Sequence, residues 1–161
     1  MITIGRVTHS ERSSTRIQVI SPETAAHQIG ETLPRLFPFA VGAAAVPLSG
    51  RTFPLHCSEA PAIENAVAKR RAEFAAGRHC TRAAMAGLGY APCAIPSGPD
   101  RAPVWPSGLV GSITHGAGVC AAVVGSSRDY RSIGIDTEMV DSIAPELAAE
   151  VLRQDEACEL D

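Results

Sequence analysis

Two carboxylates separated by one residue, Asp136 and Glu138, follow the largely apolar run Ser132-Ile133-Gly134-Ile135. A short apolar run of this kind predicts a buried strand at 132–135. Because side chains in a strand alternate between its faces, the two carboxylates are expected on the same side. Proteins hold Mg²⁺ through one or two carboxylates, with water and substrate phosphates as its other ligands. The pair therefore forms either half of a magnesium site or a solvated acidic turn.

Basic residues concentrate in a helix that is predicted from Pro61 to Leu88. At 100° per residue its apolar stripe consists of Ile63, Val67, Phe74, Thr81, Met85 and Leu88. The arginines within or beside this stripe are Arg70, Arg71, Arg78 and Arg82. An arginine that borders a buried stripe needs an anionic partner, either a carboxylate of the same fold or a phosphate of a ligand. From the residues alone, both partners remain open.

His115 ends the run Gly111-Ser-Ile-Thr-His115, beside a glycine-containing turn. Its ring N–H groups suit a phosphate ligand, assisted by the hydroxyls of Ser112 and Thr114; a surface or core histidine is the alternative. The run lacks the second glycine of Gly-x-Ser-x-Gly, which argues against a serine hydrolase. The histidines and cysteines lack close pairs at zinc-ligand spacing, and no Walker or Rossmann glycine loop is present.

Composition narrows the class of protein. The chain has 161 residues, of which 45% are hydrophobic, and no apolar run approaches the roughly 20 residues of a membrane span. The five cysteines form no Cys-x-x-Cys pair, which predicts reduced thiols. Aromatic residues make up 4% of the chain, which argues against a single-strand nucleic-acid binder. Without a signal-peptide pattern, we expect a cytoplasmic protein with neither a nucleic-acid nor a membrane partner.

The net charge of −3 conceals an asymmetry between two segments. From Lys69 to Arg82 there are five basic residues and one acid, whereas from Asp136 to Asp161 there are nine acids and one base. A basic helix and an acidic segment suit a ligand that is both polyanionic and metal-bound. They equally suit two solvated faces, so the charge pattern leaves both interpretations open.

The other elements are expected to position these residues. Residues 1–33 show no clear periodicity and are expected to form a weakly structured, peripheral segment. The remaining elements are a strand within 37–48, a loop at 49–60, the main helix, a structured loop at 90–108 that packs Trp105, adjacent strands at 109–115 and 118–124 joined by a turn, and a last helix from about 142.

Four blocks of the sequence occur in a fixed order. They are Lys69-Arg-Arg-Ala-Glu-Phe-x-x-Gly-Arg-His-Cys80, Arg101-x-Pro-x-Trp-Pro-x-Gly108, Gly111-Ser-Ile-Thr-His115 and Gly134-Ile-Asp-Thr-Glu138. Together they resemble the 4′-phosphopantetheinyl transferases, in particular the enterobactin synthetase component D branch. The resemblance implies an α+β fold of two similar halves related by a pseudo-twofold axis. It implies a peripheral segment at 1–33, an N-terminal half at 34–129, and the start of a second half at 130–161, truncated after its first strand and helix.

The resemblance also implies an activity. Coenzyme A would donate its 4′-phosphopantetheine group to a serine of an apo acyl or peptidyl carrier protein, with Mg²⁺, and 3′,5′-ADP would leave. Such enzymes serve siderophore and other secondary metabolism. By resemblance, the coenzyme A-binding residues are Arg70, Arg78, Thr114, His115 and Asp136. The metal ligands are Asp136 and Glu138.

This sequence departs from the family pattern in two places. Ser97 occupies a position where some relatives carry a lysine, and Arg101 is a candidate to replace it; Arg71 is a further candidate for phosphate contact. The Lys-Glu pair of the family's second half is absent, since Lys69 is the only lysine, and no catalytic residue is assigned. We therefore expect a truncated member with negligible transfer activity. The alternative is a non-catalytic homologue that binds coenzyme A weakly or serves only as an interaction module.

Overall fold

The part of the chain that this computed structural model describes, residues 20–138, contains a three-stranded antiparallel sheet between two helices. The elements in order are α1 (Pro22–Thr32), a 3₁₀ turn at Leu33–Leu36, β1 (Val41–Pro47), a 3₁₀ turn at Ala60–Ile63, α2 (Ala68–Gly87), β2 (Leu109–Gly116) and β3 (Val119–Ser126). The strand order is β1-β3-β2. This is the α+β class that the sequence predicts, and the pseudo-twofold relation to a second half stays a prediction.

The central strand β3 is buried from Val119 to Gly125. Consecutive residues of a strand point to opposite faces, so both faces of β3 must be packed. On one face the cluster with α1 contains Ala25, Ala26, Ile29, Leu33, Val119, Ala121 and Val123. On the other face the cluster with α2 contains Ala84, Met85, Ile95, Leu109 and Val124. The sheet therefore separates an α1 layer from an α2 layer.

Helix α1 corrects the expectation of a weakly structured segment for residues 20–33. Its N-cap is Ser21, whose side-chain oxygen accepts a hydrogen bond from the amide of Thr24 at 3.3 Å. This capping and a proline in the first turn are common helix-start signals. Ala25, Ile29 and Leu33 are spaced four apart and are buried on the sheet. Because alanine contributes little to a hydropathy pattern, this short stripe is inconspicuous in the sequence. Residues 1–19 lie outside the described part.

Helix α2 begins at Ala68, seven residues later than expected, and ends at Gly87, close to the expected Leu88. A separate 3₁₀ turn precedes it, and Val67 at its N-cap has an extended backbone. Arg71 donates from Nε to the carbonyl oxygen of Ala66 at 3.0 Å and from its terminal nitrogen to that of Glu64. A side chain therefore satisfies carbonyls that a continuous helix would have bonded internally.

The buried stripe of α2 agrees with the sequence in its centre and not at its start. Phe74, Thr81 and Met85 are buried as expected. Val67 is 73% exposed, because the helix has not yet begun at that residue. Ile63 is buried in the preceding 3₁₀ turn instead.

The hairpin of β2 and β3 confirms the predicted pair of strands within about two residues. Its two turn residues, Ala117 and Gly118, have φ values of 52° and 75°, as a two-residue turn of type I′ requires. β1 likewise lies within the predicted 37–48, beginning at Val41. In the 90–108 loop, Trp105 packs onto the α2-side cluster as expected, above Gly111 of β2.

The predicted strand at 132–135 is wrong, because no strand is assigned there and its amides use other partners. The amide of Ile135 donates to the hydroxyl of Ser112 on β2 at 3.2 Å, where a ladder would offer a carbonyl. The Tyr130 hydroxyl bonds both the amide and the carbonyl of Phe39, at 2.8 and 2.6 Å, and fixes the chain where it leaves β3. The expected helix from about 142 lies outside the described residues.

The described residues bear on two further expectations. Cys57, Cys80, Cys93 and Cys120 are free thiols, and Cys80 and Cys120 are fully buried. A hydrogen bond with Cys120 and burial raise the pKa of the Cys80 thiol. Between residues 20 and 138, no helix combines the length and the apolar character needed to cross a bilayer.

We predict that Gly42→Ala destabilises the protein, because the backbones of β1 and α2 approach each other closely at this glycine. A Cβ at Gly42 would overlap the backbone carbonyl of Ala84, which cannot move without shifting the helix. Urea denaturation should show a loss of about 3 kcal/mol in unfolding free energy.

Gly30→Ala is the matched control, since a Cβ on this residue of α1 has no atom within 4 Å. It should stabilise the helix by about 0.5–1 kcal/mol. Equal urea midpoints for Gly42→Ala and the wild type would contradict the close approach of the two elements.

Candidate functional site

The first turns of α2 place Arg70 against the end of β2. Its NH1 lies 3.1 Å from Nε2 of His115, so two of the predicted phosphate-contacting residues are neighbours. The Glu73 carboxylate lies 3.7 Å from the guanidinium and 3.8 Å from the imidazole. The side chains of Arg70 and His115 are 52% and 39% exposed, whereas that of Glu73 is 11% exposed. Two accessible nitrogen donors with a partly neutralising carboxylate behind them can accept an external anion.

A cleft of about 490 Å³ lies next to this pair. Lys69, Glu73, His115 and the turn residues 116–118 line it, together with Leu48 and Ala72. The cleft thus brings a lysine ammonium and an imidazole to the same space, with apolar surface beside them. A ligand with a phosphate and an apolar portion would fit this lining.

Arg78 occupies the centre of α2 and is only 4% exposed. Its NH2 donates to the hydroxyl of Ser97 at 3.0 Å, and its guanidinium lies 4.1 Å from the ring centre of Phe74. Its Nε has no hydrogen-bond partner among the described residues. Burial lowers the pKa of Arg78; Glu59 opposes this, and the charge of Arg70 adds to it. A buried guanidinium without a carboxylate partner is costly, and an anionic ligand would offset that cost.

Arg82 pairs with a carboxylate of the same fold, which is one of the two kinds of partner that the sequence left open. Its NH1 lies 2.9 and 3.1 Å from the two carboxylate oxygens of Glu59, and its NH2 donates to the Pro54 carbonyl at 2.8 Å. Glu59 is fully buried and also accepts the amides of His56 and Ile95, at 2.9 and 2.8 Å. Sequence reasoning missed Glu59, because nothing in its loop distinguishes a buried carboxylate from a solvated one.

The contacts of Glu59 set the direction of its pKa. Burial by itself raises the pKa of this carboxyl. The amides of Ile95 and His56 and the charge of Arg82 together outweigh burial and lower the pKa below its ordinary 4.5. The carboxylate is therefore a charged, structural anchor that ties the 54–59 loop and residue 95 to α2.

The carboxylate segment lies along β2. Thr114 donates from Oγ1 to Oδ1 of Asp136 at 3.0 Å, and the amide of Thr137 lies 3.1 Å from the Thr114 hydroxyl and 2.9 Å from that carboxylate oxygen. Thr137 is 2% exposed, whereas Asp136 and Glu138 on either side of it are exposed. This alternation of burial places the two carboxylates on the same side, although no strand forms.

The donor set of Asp136 and Glu138 fits a magnesium ion better than a metal held only by protein. Among residues 20–138, no group of three or more His, Cys, Asp or Glu residues could hold a metal. Two exposed carboxylates are a usual set for Mg²⁺, which takes further oxygens from phosphates and water. Oδ1 of Asp136 already accepts two hydrogen bonds, and Oδ2 has none from the described residues.

The predicted residues thus form two contact groups, Arg70 with His115 and Thr114 with Asp136. Thr114 and His115 are consecutive, so they point to opposite faces of the sheet. His115 faces α2, beside Arg70, and Thr114 faces the α1 side, where Ile133 and Ile135 also pack. The two groups are therefore connected through consecutive residues of β2, whose Cα atoms are about 3.8 Å apart.

The remaining candidates have local roles. The Arg71 guanidinium bonds backbone carbonyls at the start of α2, as described above. The Ser97 hydroxyl accepts a hydrogen bond from Arg78, so this side chain contacts one of the candidate arginines. Arg101 is exposed, with a positive φ of 67°, and its side chain makes no hydrogen bond or ion pair within 20–138.

Comparisons with known proteins match the same part of the chain. Residues 58–125 match the family model of the 4′-phosphopantetheinyl transferase N-terminal domain. The chain is 52% identical over 80 residues to 4′-phosphopantetheinyl transferase PptT of Mycobacterium tuberculosis, which covers 50% of this chain and 35% of that relative. It is 49% identical over 83 residues to 4′-phosphopantetheinyl transferase Npt of Nocardia iowensis, covering 52% and 37%.

A third relative belongs to the branch that the sequence blocks resemble. The chain is 38% identical over 97 residues to enterobactin synthase component D of Salmonella typhi, which covers 58% of this chain and 39% of that relative. The matched region thus spans less than two fifths of the length of each of these three relatives.

We predict that Glu59→Gln destabilises the protein in a pH-dependent manner. Because the folded-state pKa of Glu59 is lowered, its carboxylate contributes stability above the unfolded pKa, and this is lost as pH falls through the folded pKa. At neutral pH the substitution leaves Arg82 without its counterion and should cost about 3 kcal/mol. The difference from the wild type should shrink in thermal melts below pH 4.5, the ordinary value.

Glu64→Gln on the neighbouring turn is the control, since Glu64 is exposed. It should leave the unfolding free energy nearly unchanged. A Glu59→Gln protein whose deficit stays constant from neutral to acidic pH would show that the charge of Glu59 is not what stabilises the fold.

Proposed function

We propose that residues 20–138 bind the phosphates of coenzyme A for a 4′-phosphopantetheinyl transferase, because residues 58–125 match the N-terminal-domain model of that family and the chain is similar to two such transferases over about half its length. The observation that supports this most directly is the buried Arg78, whose guanidinium has an unused Nε and no carboxylate partner. Arg82 on the next turn forms a salt bridge with Glu59. The same helix therefore contains one arginine that is neutralised by a carboxylate and one, Arg78, that has no carboxylate partner among the described residues.

The accessible pair at the cleft suits a second phosphate of the same ligand. Arg70 and His115 are in contact with each other, and a phosphate would accept a hydrogen bond from each in place of that contact. Coenzyme A has a pyrophosphate and a separate 3′-phosphate, so it offers anions at two positions. We assign the 3′-phosphate to His115 and Arg70, and further phosphate contact to Arg78.

The proposed reaction transfers the 4′-phosphopantetheine group to a serine of an apo acyl or peptidyl carrier protein. The serine oxygen forms a bond to the pantetheine-side phosphorus, and the bond from that phosphorus to the bridging oxygen breaks. 3′,5′-ADP leaves with the electron pair, and the serine proton passes to a base or to water. Catalysis of phosphoryl transfer depends mostly on positioning and charge stabilisation, which the arginines supply here.

Asp136 and Glu138 are the residues that we propose to hold Mg²⁺. Bound there, the ion would neutralise charge on the pyrophosphate. The two carboxylates are exposed on one side of their segment. Oδ2 of Asp136 accepts no hydrogen bond from the described residues, because both hydrogen bonds go to Oδ1. The protein's part is to hold these oxygens in place along β2, where Thr114 bonds Asp136 on the face of the sheet opposite α2. The protein is proposed to act in the cytoplasm.

We predict that Arg78→Lys weakens coenzyme A binding, because an ammonium group keeps the charge and loses the planar fork of donors. Isothermal titration without divalent ions should show about a 10- to 100-fold higher Kd, the usual size of a charge-assisted hydrogen bond. Arg71→Ala is the matched control on the same helix, since that guanidinium bonds only backbone carbonyls. Equal losses of binding in both variants would contradict a phosphate role for Arg78.

An assay of phosphopantetheine transfer distinguishes an active transferase from a homologue that only binds coenzyme A. We expect this 161-residue chain, with Mg²⁺, coenzyme A and an apo carrier protein, to leave most of the carrier unmodified. The reason is that no Lys-Glu pair is present, and positioned acid–base groups typically contribute about 10²–10⁴-fold. Intact-mass spectrometry of the carrier protein is the measurement. Complete addition of one phosphopantetheine would contradict this expectation and show that other residues supply the base.

A further inference from the structure

The hydroxyl of Thr114 is fully engaged inside the protein, although the family resemblance implies a contact with coenzyme A. Its residue is 6% exposed. A threonine hydroxyl has one proton to donate and two lone pairs to accept with. The proton goes to Oδ1 of Asp136 at 3.0 Å, and the lone pairs face the amide of Thr137 at 3.1 Å and its hydroxyl at 3.2 Å. No hydrogen-bonding capacity is left for a ligand phosphate.

We propose that the hydroxyl of Thr114 positions the Asp136 carboxylate and does not itself bind coenzyme A. This inference rests on the proposed function, in which Asp136 binds the metal. Thr114 and the Thr137 amide both bond Oδ1, so they fix the rotation of the carboxylate and direct Oδ2 away from them. Thr114 therefore acts on the metal through Asp136.

Side-chain hydroxyls of β2 replace the missing strand ladder of this segment. Ser112 and Thr114 lie two residues apart on one face of β2, and the amides they bond, those of Ile135 and Thr137, are also two residues apart. The matching spacing sets the register of the segment, and one residue of slippage would turn Asp136 toward the interior.

The next residue on that face, Gly116, leaves room for the backbone at this point. A Cβ there would overlap the carbonyl oxygen of Thr137. Ser112, Thr114 and Gly116 thus provide two hydroxyls and one gap, all on the same face as the segment. This combination holds the segment in register along β2.

The test uses the isosteric Thr114→Val, which removes the hydroxyl and keeps the volume, and Thr114→Ser, which restores the hydroxyl. Mn²⁺ serves as the probe ion in place of Mg²⁺, with binding followed by electron paramagnetic resonance in the presence of coenzyme A. Loss of an outer-shell partner of a metal ligand typically costs 10–100-fold in affinity, so Thr114→Val should raise the Kd for Mn²⁺ by about tenfold or more. Thr114→Ser should return it close to the wild-type value.

Two measurements need neither activity nor metal. Hydrogen exchange of the Thr137 amide should accelerate about fivefold or more in Thr114→Val, as expected for the loss of one hydrogen bond. Coenzyme A binding without divalent ions should stay at the wild-type value, because the hydroxyl does not contact the ligand. Thr81→Val is the matched control: its hydroxyl is also fully buried but donates to the Gly77 carbonyl at 2.9 Å, within α2. It should lower stability without changing Mn²⁺ affinity.

The outcomes that overturn the proposal are distinct from those that overturn the proposed function. If Thr114→Val weakens metal-free coenzyme A binding while Mn²⁺ affinity is unchanged, Thr114 is a ligand of coenzyme A and the inference is wrong. It is also wrong if Thr81→Val raises the Mn²⁺ Kd as much as Thr114→Val does. If the wild type binds no Mn²⁺, the proposed metal role of Asp136 fails and the positioning role falls with it.

Discussion

The rest of the structure depends on β3 being buried on both faces. An isolated three-stranded sheet with one such strand must pack a layer on each side, and α1 and α2 supply these layers. The same alternation continues into β2, the neighbouring strand, where Thr114 and His115 must face different layers. The candidate site is consequently divided between two faces, with the arginine-bearing helix on one and the carboxylate segment on the other.

The arginines of α2 have different roles because their side chains differ in burial and in hydrogen-bond partner. Their position along the helix does not determine these roles. Arg82 is neutralised by the buried Glu59, and Arg71 satisfies carbonyls at the helix start. Arg78 is the most buried of the three and has neither kind of partner for its Nε. Desolvation makes an uncompensated guanidinium costly, which is why Arg78 points to an anionic ligand more strongly than the exposed Arg70 does.

The sequence predicted the regular parts of the fold and failed where side chains substitute for backbone partners. The β2–β3 hairpin and the end of α2 follow from local turn chemistry, glycine positions and apolar runs. The start of α2 and the segment at 131–138 do not, because Arg71 and the β2 hydroxyls take over hydrogen bonds that regular structure would make. Helix α1 was missed because its stripe is built largely from alanine.

By itself the sequence determined which residue types are available and their spacing, including the Asp136 and Glu138 pair and the run that ends in His115. These features can be identified without the tertiary structure, because each involves only a few consecutive residues. Only the tertiary structure decided that Arg82 has a buried carboxylate partner, that Arg78 has none, and that Thr114 bonds Asp136. The two contacts join residues 23 and 22 positions apart, and their pairing depends on how the layers pack, which periodicity does not encode.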